Sequence, residues 1–244
     1  MALLEARGVT RIFGRLTALD GVDLVVREGQ FHGLIGPNGS GKSTLMKCVA
    51  GALQPTQGTI RLLGRDITTA PPATRARMGL SMKFQITSVL PGLTVYDNAL
   101  LALQAHGGMM DLVFSRTRQA LDDEVRRNLA RFHLADRSDD LAGTLSHGEQ
   151  QWLEIAMALA TKPRLLLLDE PTAGMSIEER RVTAELLRPI KDRCTLVIVE
   201  HDLDFIRDIC DVLTVLDGGR VLDSGSVQHI QASAKVQEVY LTRV

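Results

Sequence analysis

The sequence predicts an α/β fold interrupted by a helical insert, and three observations predict it. Short alternating or continuous apolar runs near both ends of the chain have the pattern of strands. A glycine-rich loop separates one such run from a helical stretch. The middle of the chain, roughly residues 86–160, changes to helical periodicity, and strand-helix alternation resumes after Pro163.

The elements follow in order. Residues 3–13 and 22–27 alternate and predict strands, with turns at Gly14 and Glu28-Gly29. Residues 31–35 form a short apolar run, as expected of a buried strand. A helix is predicted over 44–53, and strands over 58–63 and 78–84. From 95 to 132 the spacing is helical, with Leu100, Leu101 and Leu103 and then Leu121, Val125, Leu129 and Phe132 three or four apart, broken at Gly107-Gly108. Over 150–160, Trp152, Ile155, Ala156 and Leu159 fall on one helical face. Then come a buried strand at 165–168, a helix over 177–190, a strand at 195–199 and a helix over 203–209. A hairpin at 212–216 and 220–224 turns around Gly218-Gly219, and 236–244 reads as a short ordered tail.

The 244 residues suffice for one sizeable domain, and 45% hydrophobic content supplies its core. The net charge of -1 lacks the basic excess of a nucleic-acid binder, so no nucleic-acid partner is expected. Cys48, Cys194 and Cys210 have no metal-ligand spacing and read as core thiols of a reduced, cytosolic protein. No signal-peptide pattern opens the chain, and no window approaches the ~20 apolar residues of a membrane span. Partners would have to hold the chain at any membrane where it works.

The residues Gly36-Pro37-Asn38-Gly39-Ser40-Gly41-Lys42-Ser43-Thr44 fit the phosphate-loop pattern G-x-x-x-x-G-K-[ST], between a predicted strand and a predicted helix. Glycines let backbone N–H groups turn inward around a phosphate, and the helix N-terminus adds a favourable dipole. Lys42 can reach the β- and γ-phosphates of ATP, and Ser43 offers a hydroxyl to Mg2+. Asp169 and Glu170 follow the strand Leu165-Leu166-Leu167-Leu168 at the sheet edge where ligands bind. Asp169 fits a magnesium-side acid, and Glu170 a group that orients and deprotonates water. Taken alone, this pair would read as a solvated turn; the phosphate loop tips the reading.

At Leu145-Ser146-His147-Gly148-Glu149 the chain resembles the ABC signature motif, usually written L-S-G-G-Q, with His147 for the first glycine and Glu149 for the glutamine. The same residues could form a helix-capping box, and both readings can hold together. Phosphate loop, Gln85, signature, Asp169-Glu170 and His201 occur in the order of an ABC ATPase over nearly the whole chain. The resemblance implies the P-loop NTPase (ABC ATPase) fold, with an antiparallel β subdomain and an inserted α-helical subdomain. Residues 1–85 and 161–244 would form the RecA-like core with the β subdomain, and 86–160 the insert.

The resemblance also implies roles. Phe13 would stack on adenine, its alternative being a core Phe. Gln85 would touch the Mg2+ site and report to membrane subunits, and His201 would contact the γ-phosphate. Ser146 and Gly148 would grip the ATP held by an opposite subunit. Ala173-Gly174-Met175-Ser176 stands where the family often has S-A-L-D, so the usual aspartate is absent.

Within the group, Phe84-Gln85, Leu93-Thr94-Val95-Tyr96-Asp97-Asn98, Gln151-Trp152-Leu153-Glu154-Ile155, Ala173-Gly174-Met175, Val199-Glu200-His201-Asp202 and Val239-Tyr240-Leu241 resemble ATPase subunits of bacterial importers for branched-chain amino acids, short amides or urea. Lys83 and Met175 lean toward the urea branch. Such a subunit is implied to pair with a second, like or unlike ABC ATPase under two transmembrane permease subunits, peripheral on the cytoplasmic face of the inner membrane, with a periplasmic solute-binding protein delivering the solute. The alternatives are the ATPase of a lipopolysaccharide exporter, a non-transport ABC ATPase, and a simple P-loop kinase.

Overall fold

The computed structural model describes residues 1–83, 89–104 and 117–242. Gln85, Phe84 and the Gly107-Gly108 break lie outside these residues. The chain divides into two compact units, one of Met1–Met82, Arg164–Pro171 and Ile190–Val244, the other of Lys83–Pro163 and Thr172–Pro189.

The first unit holds two sheets. Strands β1 (Ala2–Phe13), β2 (Leu16–Arg27), β4 (Gln57–Leu62) and β5 (Arg65–Asp66) form an antiparallel sheet in the order β2-β1-β4-β5. In β2, Val22, Leu24 and Val26 point inward between exposed neighbours, the period-two pattern of a sheet covered on one face.

The second sheet has the order β10-β9-β3-β8-β7-β6. Its strands are β3 (Phe31–Ile35), β6 (Leu80–Lys83), β7 (Leu165–Asp169), β8 (Thr195–Val199), β9 (Val212–Asp217) and β10 (Arg220–Ser226). Strand β3 runs parallel to β8 and β9, and β7 parallel to β8. Every residue of β3, β7 and β8 is buried, which is why these strands read as continuous apolar runs. Strand β10 returns antiparallel to β9.

Helix α1 (Lys42–Ala50) follows β3 and lays Leu45, Met46 and Val49 into a core shared with both sheets. Its far end is fixed by Arg75 of α2 (Pro72–Arg77). This fully buried guanidinium donates to Cys48 O and Val49 O, both at 2.7 Å, to Ala70 O at 2.9 Å and to Thr68 O at 3.1 Å. A cation there satisfies carbonyls left over at the helix C-terminus and complements its dipole.

The second unit is helical: α3 (Val95–Gln104), α4 (Thr117–Arg131), α5 (His147–Ala160) and α6 (Ile177–Leu187). Val95, Ala99, Val125, Leu129, Phe132, Leu153 and Ile155 supply its core. Short helices α7 (Leu203–Ile209), α8 (Val227–Ala232) and α9 (Ala234–Thr242) complete the first unit. Among the described residues no helix is long and apolar enough to cross a membrane.

Several boundaries differ from the sequence expectation. The helix expected from residue 44 begins at Lys42 and ends at Ala50, because Gly51 takes up a left-handed φ of 83°. The helix expected from 150 begins at His147, because Ser146 and Glu149 close a capping box. The helix expected to run to 190 ends at Leu187 in a single 3-10 turn, Arg188–Ile190. Strands β1 and β2 form one long hairpin, so β2 starts at Leu16 rather than 22.

Candidate functional site

The phosphate loop connects the end of β3, at Ile35, to the first residue of α1, Lys42. Its turn needs glycine at two points. Gly36 has φ 144°, and a Cβ there would lie 2.0 Å from Leu216 O. Gly41 has φ 104°, and a Cβ there would lie 2.6 Å from Ala18 O. Gly41 occupies the N-cap of α1; among the described residues no side chain caps that end, and no acid stands in the first turn. By contrast, α5 and α6 both begin with complete capping boxes. The N-terminal donors of α1 therefore fit an anion, which is what a phosphate supplies.

Lys42 is buried, and its ammonium donates to Gly36 O at 2.8 Å and Pro37 O at 2.9 Å. Burial pulls its pKa down, while Glu170 and Asp169 push it up. Ser43 Oγ donates to Asp169 Oδ1 at 3.3 Å. Burial raises the Asp169 pKa, the Ser43 bond opposes that, and the Glu170 charge adds to it. Asp169 ends β7, separated from β3 by β8 alone, so sheet order brings it to the loop.

Glu170 follows with φ 50°, a left-handed backbone that costs a non-glycine residue about 1–3 kcal/mol. Its N–H donates to Val199 O at 2.9 Å, which locks the turn to the end of β8. His201 lies just beyond β8, and its Nε2 stands 2.9 Å from Glu170 Oε1. A protonated Nε2 donates to the carboxylate at that distance. Asp202 caps α7 through Phe205 N and so fixes the chain next to the imidazole.

These residues meet at a cavity of about 300 Å³ lined by Phe13, Leu16, Ala18, Asn38, Gly39, Gly41, Lys42, Ser43, Thr44, Glu170 and His201. Of the site residues expected from the sequence, Phe13, the loop residues from Asn38 to Thr44 other than Ser40, Glu170 and His201 share it. Ser40 is buried, and its Oγ makes no hydrogen bond among the described residues. Asp169 lies behind Ser43. Gln85 is outside the described residues. Ser146 and Gly148 belong to the second unit, where Ser146 Oγ accepts from Glu149 N at 3.2 Å and so acts as a cap. Among the described residues no group of three or more His, Cys, Asp and Glu could hold a metal, and all three thiols are free and buried.

The sequence reading missed Leu16 and Ala18 in the lining, and Arg11 beneath Phe13. The Arg11 guanidinium lies 4.5 Å from the Phe13 ring centroid, and Phe13 is 40% exposed. An exposed aromatic backed by a cation presents a flat face beside a phosphate cradle. No local signal marks Arg11, which reads as one more strand residue.

The family described as "ABC transporter" matches residues 19–173. The chain is 34% identical to the high-affinity branched-chain amino acid transport ATP-binding protein BraF of Pseudomonas aeruginosa, over 98% of this chain and 97% of that protein. It is 37% identical to the methionine import ATP-binding protein MetN of Streptomyces coelicolor, over 95% of this chain and 68% of MetN. A crystal structure of the ADP conformation of an ATP-binding cassette of an ABC transporter superposes with a TM-score of 0.88 at 30% identity, covering 99% of each chain. A dimeric post-hydrolysis cassette bound to ADP and Pi gives a TM-score of 0.79 at 26% identity, over 92% of this chain and 98% of the other.

Proposed function

Because the chain belongs to the ABC transporter family, we propose that it is the ATP-hydrolysing subunit of a bacterial importer whose solute is a branched-chain amino acid. The observation that supports the chemistry is Glu170 held 2.9 Å from His201 at the mouth of the cavity lined by the phosphate loop. Lys42 and the N–H groups at the start of α1 bind the phosphates, and Phe13 stacks on the adenine. Glu170 accepts the proton of the attacking water, and His201 holds that carboxylate in place and reaches the γ-phosphate. Ser43 and Asp169 would hold Mg2+, with Gln85 as the third residue assigned there, and the ion would supply positive charge against the phosphates.

The solute assignment rests on relatives named for branched-chain amino-acid transport. Lys83 and Met175, the two residues that lean toward the urea branch, also have packing roles. Lys83 is engaged in a buried ion pair with Glu154, and Met175 is a buried packing residue, so each has a structural reason to be there.

The working assembly in this reading is a dimer of ATPase subunits, alike or different, peripheral under two permease subunits that a solute-binding protein feeds. Ser146 and Gly148 then grip the nucleotide of the opposite subunit. The permease contact is assigned to Leu90, Leu93 and Leu141 of the second unit, all exposed apolar side chains. Backbone bonds from Leu93 N to Leu90 O and from Ala142 N to Leu93 O hold them together. Exposed apolar clusters of this kind are typical of protein contacts.

The test is reconstitution with the permeases and binding protein encoded beside it, measuring ATP-dependent uptake of leucine and of urea. Uptake of leucine is expected. Uptake of urea alone, or export of a lipid, would reject the solute or the direction.

A further inference from the structure

The chain departs from the ABC pattern in the signature, at His147 and Glu149, and in the segment 173–176 after Pro171-Thr172, and within the second unit a contact of His147 joins the two segments. His147 Nε2 lies 2.9 Å from Ala173 O. A carbonyl only accepts, so Nε2 carries the ring proton and donates it. Gly174 makes the approach possible: with φ 75° its missing Cβ would lie 3.1 Å from both Cδ2 and Nε2 of the ring. Gln151, one turn along α5, has its amide nitrogen 3.5 Å from the same Nε2 and its buried Oε1 unpaired among the described residues. Turned over, that amide would give the ring N–H a second acceptor.

A second contact lies close by. A Cβ on Gly148 would sit 2.3 Å from Glu179 Oε1, so a larger residue there would push the Glu179 side chain aside. Glu179 in turn accepts from Ser176 N and Ser176 Oγ, both at 2.8 Å. The start of α5 and the segment from Ala173 to Glu179 thus lie close together, and the His147–Ala173 hydrogen bond joins them. A glycine in place of His147, as the family pattern has it, could not reach Ala173.

We propose that His147 is a positioning residue for ATP-driven dimer closure: its bond to Ala173 O fixes the 173–176 segment to the signature helix. The proposal rests on the reading that Ser146 and Gly148 grip nucleotide on a second subunit. His147 itself is exposed, so its replacement leaves the core untouched.

The experiment uses the full chain in a Glu170→Gln background, with ATP-dependent dimerisation followed by mass in solution. His147→Gly is expected to weaken the dimer about tenfold, the scale of a lost hydrogen bond. His147→Gln, which keeps an N–H donor, should restore it to within about twofold, and His147→Phe, a ring without a donor, should not. With Glu170 intact, kcat should fall in the Gly and Phe variants, while ATP affinity of the isolated chain stays unchanged, because the phosphate-loop residues belong to the first unit. His147→Gly dimerising like its parent would overturn the proposal alone, as would Phe restoring closure as well as Gln. A Glu170→Gln parent that stays monomeric in ATP would overturn the dimer reading and the proposal with it.

Discussion

The Lys83 ammonium lies 3.0 Å from the Glu154 carboxylate, with the side chains only 2% and 1% exposed. Lys83 stands directly before Phe84-Gln85, and Glu154 in the middle of α5, so the pair ties together two stretches of the second unit that lie far apart in sequence. Removing one partner strands a buried charge, at a cost of about 3–5 kcal/mol, whereas replacing both by apolar groups is often neutral. Lys83→Met and Glu154→Leu should each lower the urea midpoint sharply, and the double variant should recover most of the loss. Additive losses in the double variant would show that the two charges do not stabilise each other.

Glu170→Gln should leave ATP binding intact and slow turnover about 10²- to 10⁴-fold, the usual contribution of a general base. The motivation is its carboxylate, aimed into the cavity by a left-handed backbone and held by His201. ATP titration and phosphate release measure the two quantities separately. Near-normal turnover would remove Glu170 from the chemistry.

Lys42→Ala should have the opposite profile, with nucleotide affinity lost first. Its ammonium already lies across the loop carbonyls of Gly36 and Pro37, and among the described residues it is the only Lys or Arg lining the cavity. Charge-assisted bonds to phosphate are roughly twice as strong as neutral ones. Unchanged ATP affinity in a titration would mean that phosphate binds elsewhere.

The phosphate loop was legible because its glycines and Lys42 are set by local geometry that few other residues tolerate. Strands β3 and β8 match their expected limits because buried parallel strands are continuous apolar runs with polar ends. The start of α5 was misplaced because its first turn, His147 to Glu149, is polar and has no apolar face to count, although the Ser146/Glu149 box that caps it was visible. Arg75 gave no signal at all. Two of its targets are carbonyls of α1 and two lie in the chain just before its own helix, so a residue typical of a solvated short helix is fully buried. The Arg11–Phe13 stack, Lys83–Glu154 and His147–Ala173 share that character: chemistry set by contacts that sequence periodicity does not encode.

His32 predicts an acid limb to stability. It sits in β3 with Nε2 2.8 Å from Thr214 Oγ1, which is 2.8 Å from Ser224 Oγ, while its Nδ1 is buried and unpaired among the described residues. A second proton would charge a ring with no counter-ion among those contacts, and burial pushes its pKa down from 6.5 to about 4. The unfolded chain therefore takes up this proton near pH 6.5 and the folded chain only near pH 4, so the unfolded state binds more protons in between. Stability is fully present above about pH 6.5 and falls as pH drops toward 4, by roughly 3 kcal/mol at 1.36 kcal/mol per pKa unit. His32→Leu removes the titration and leaves Thr214 bonded to Ser224. Urea midpoints measured from pH 7 to pH 4 should decline less steeply in His32→Leu than in the parent, because acid losses from carboxylates are common to both proteins and cancel. Parallel declines would show that His32 titrates alike in both states.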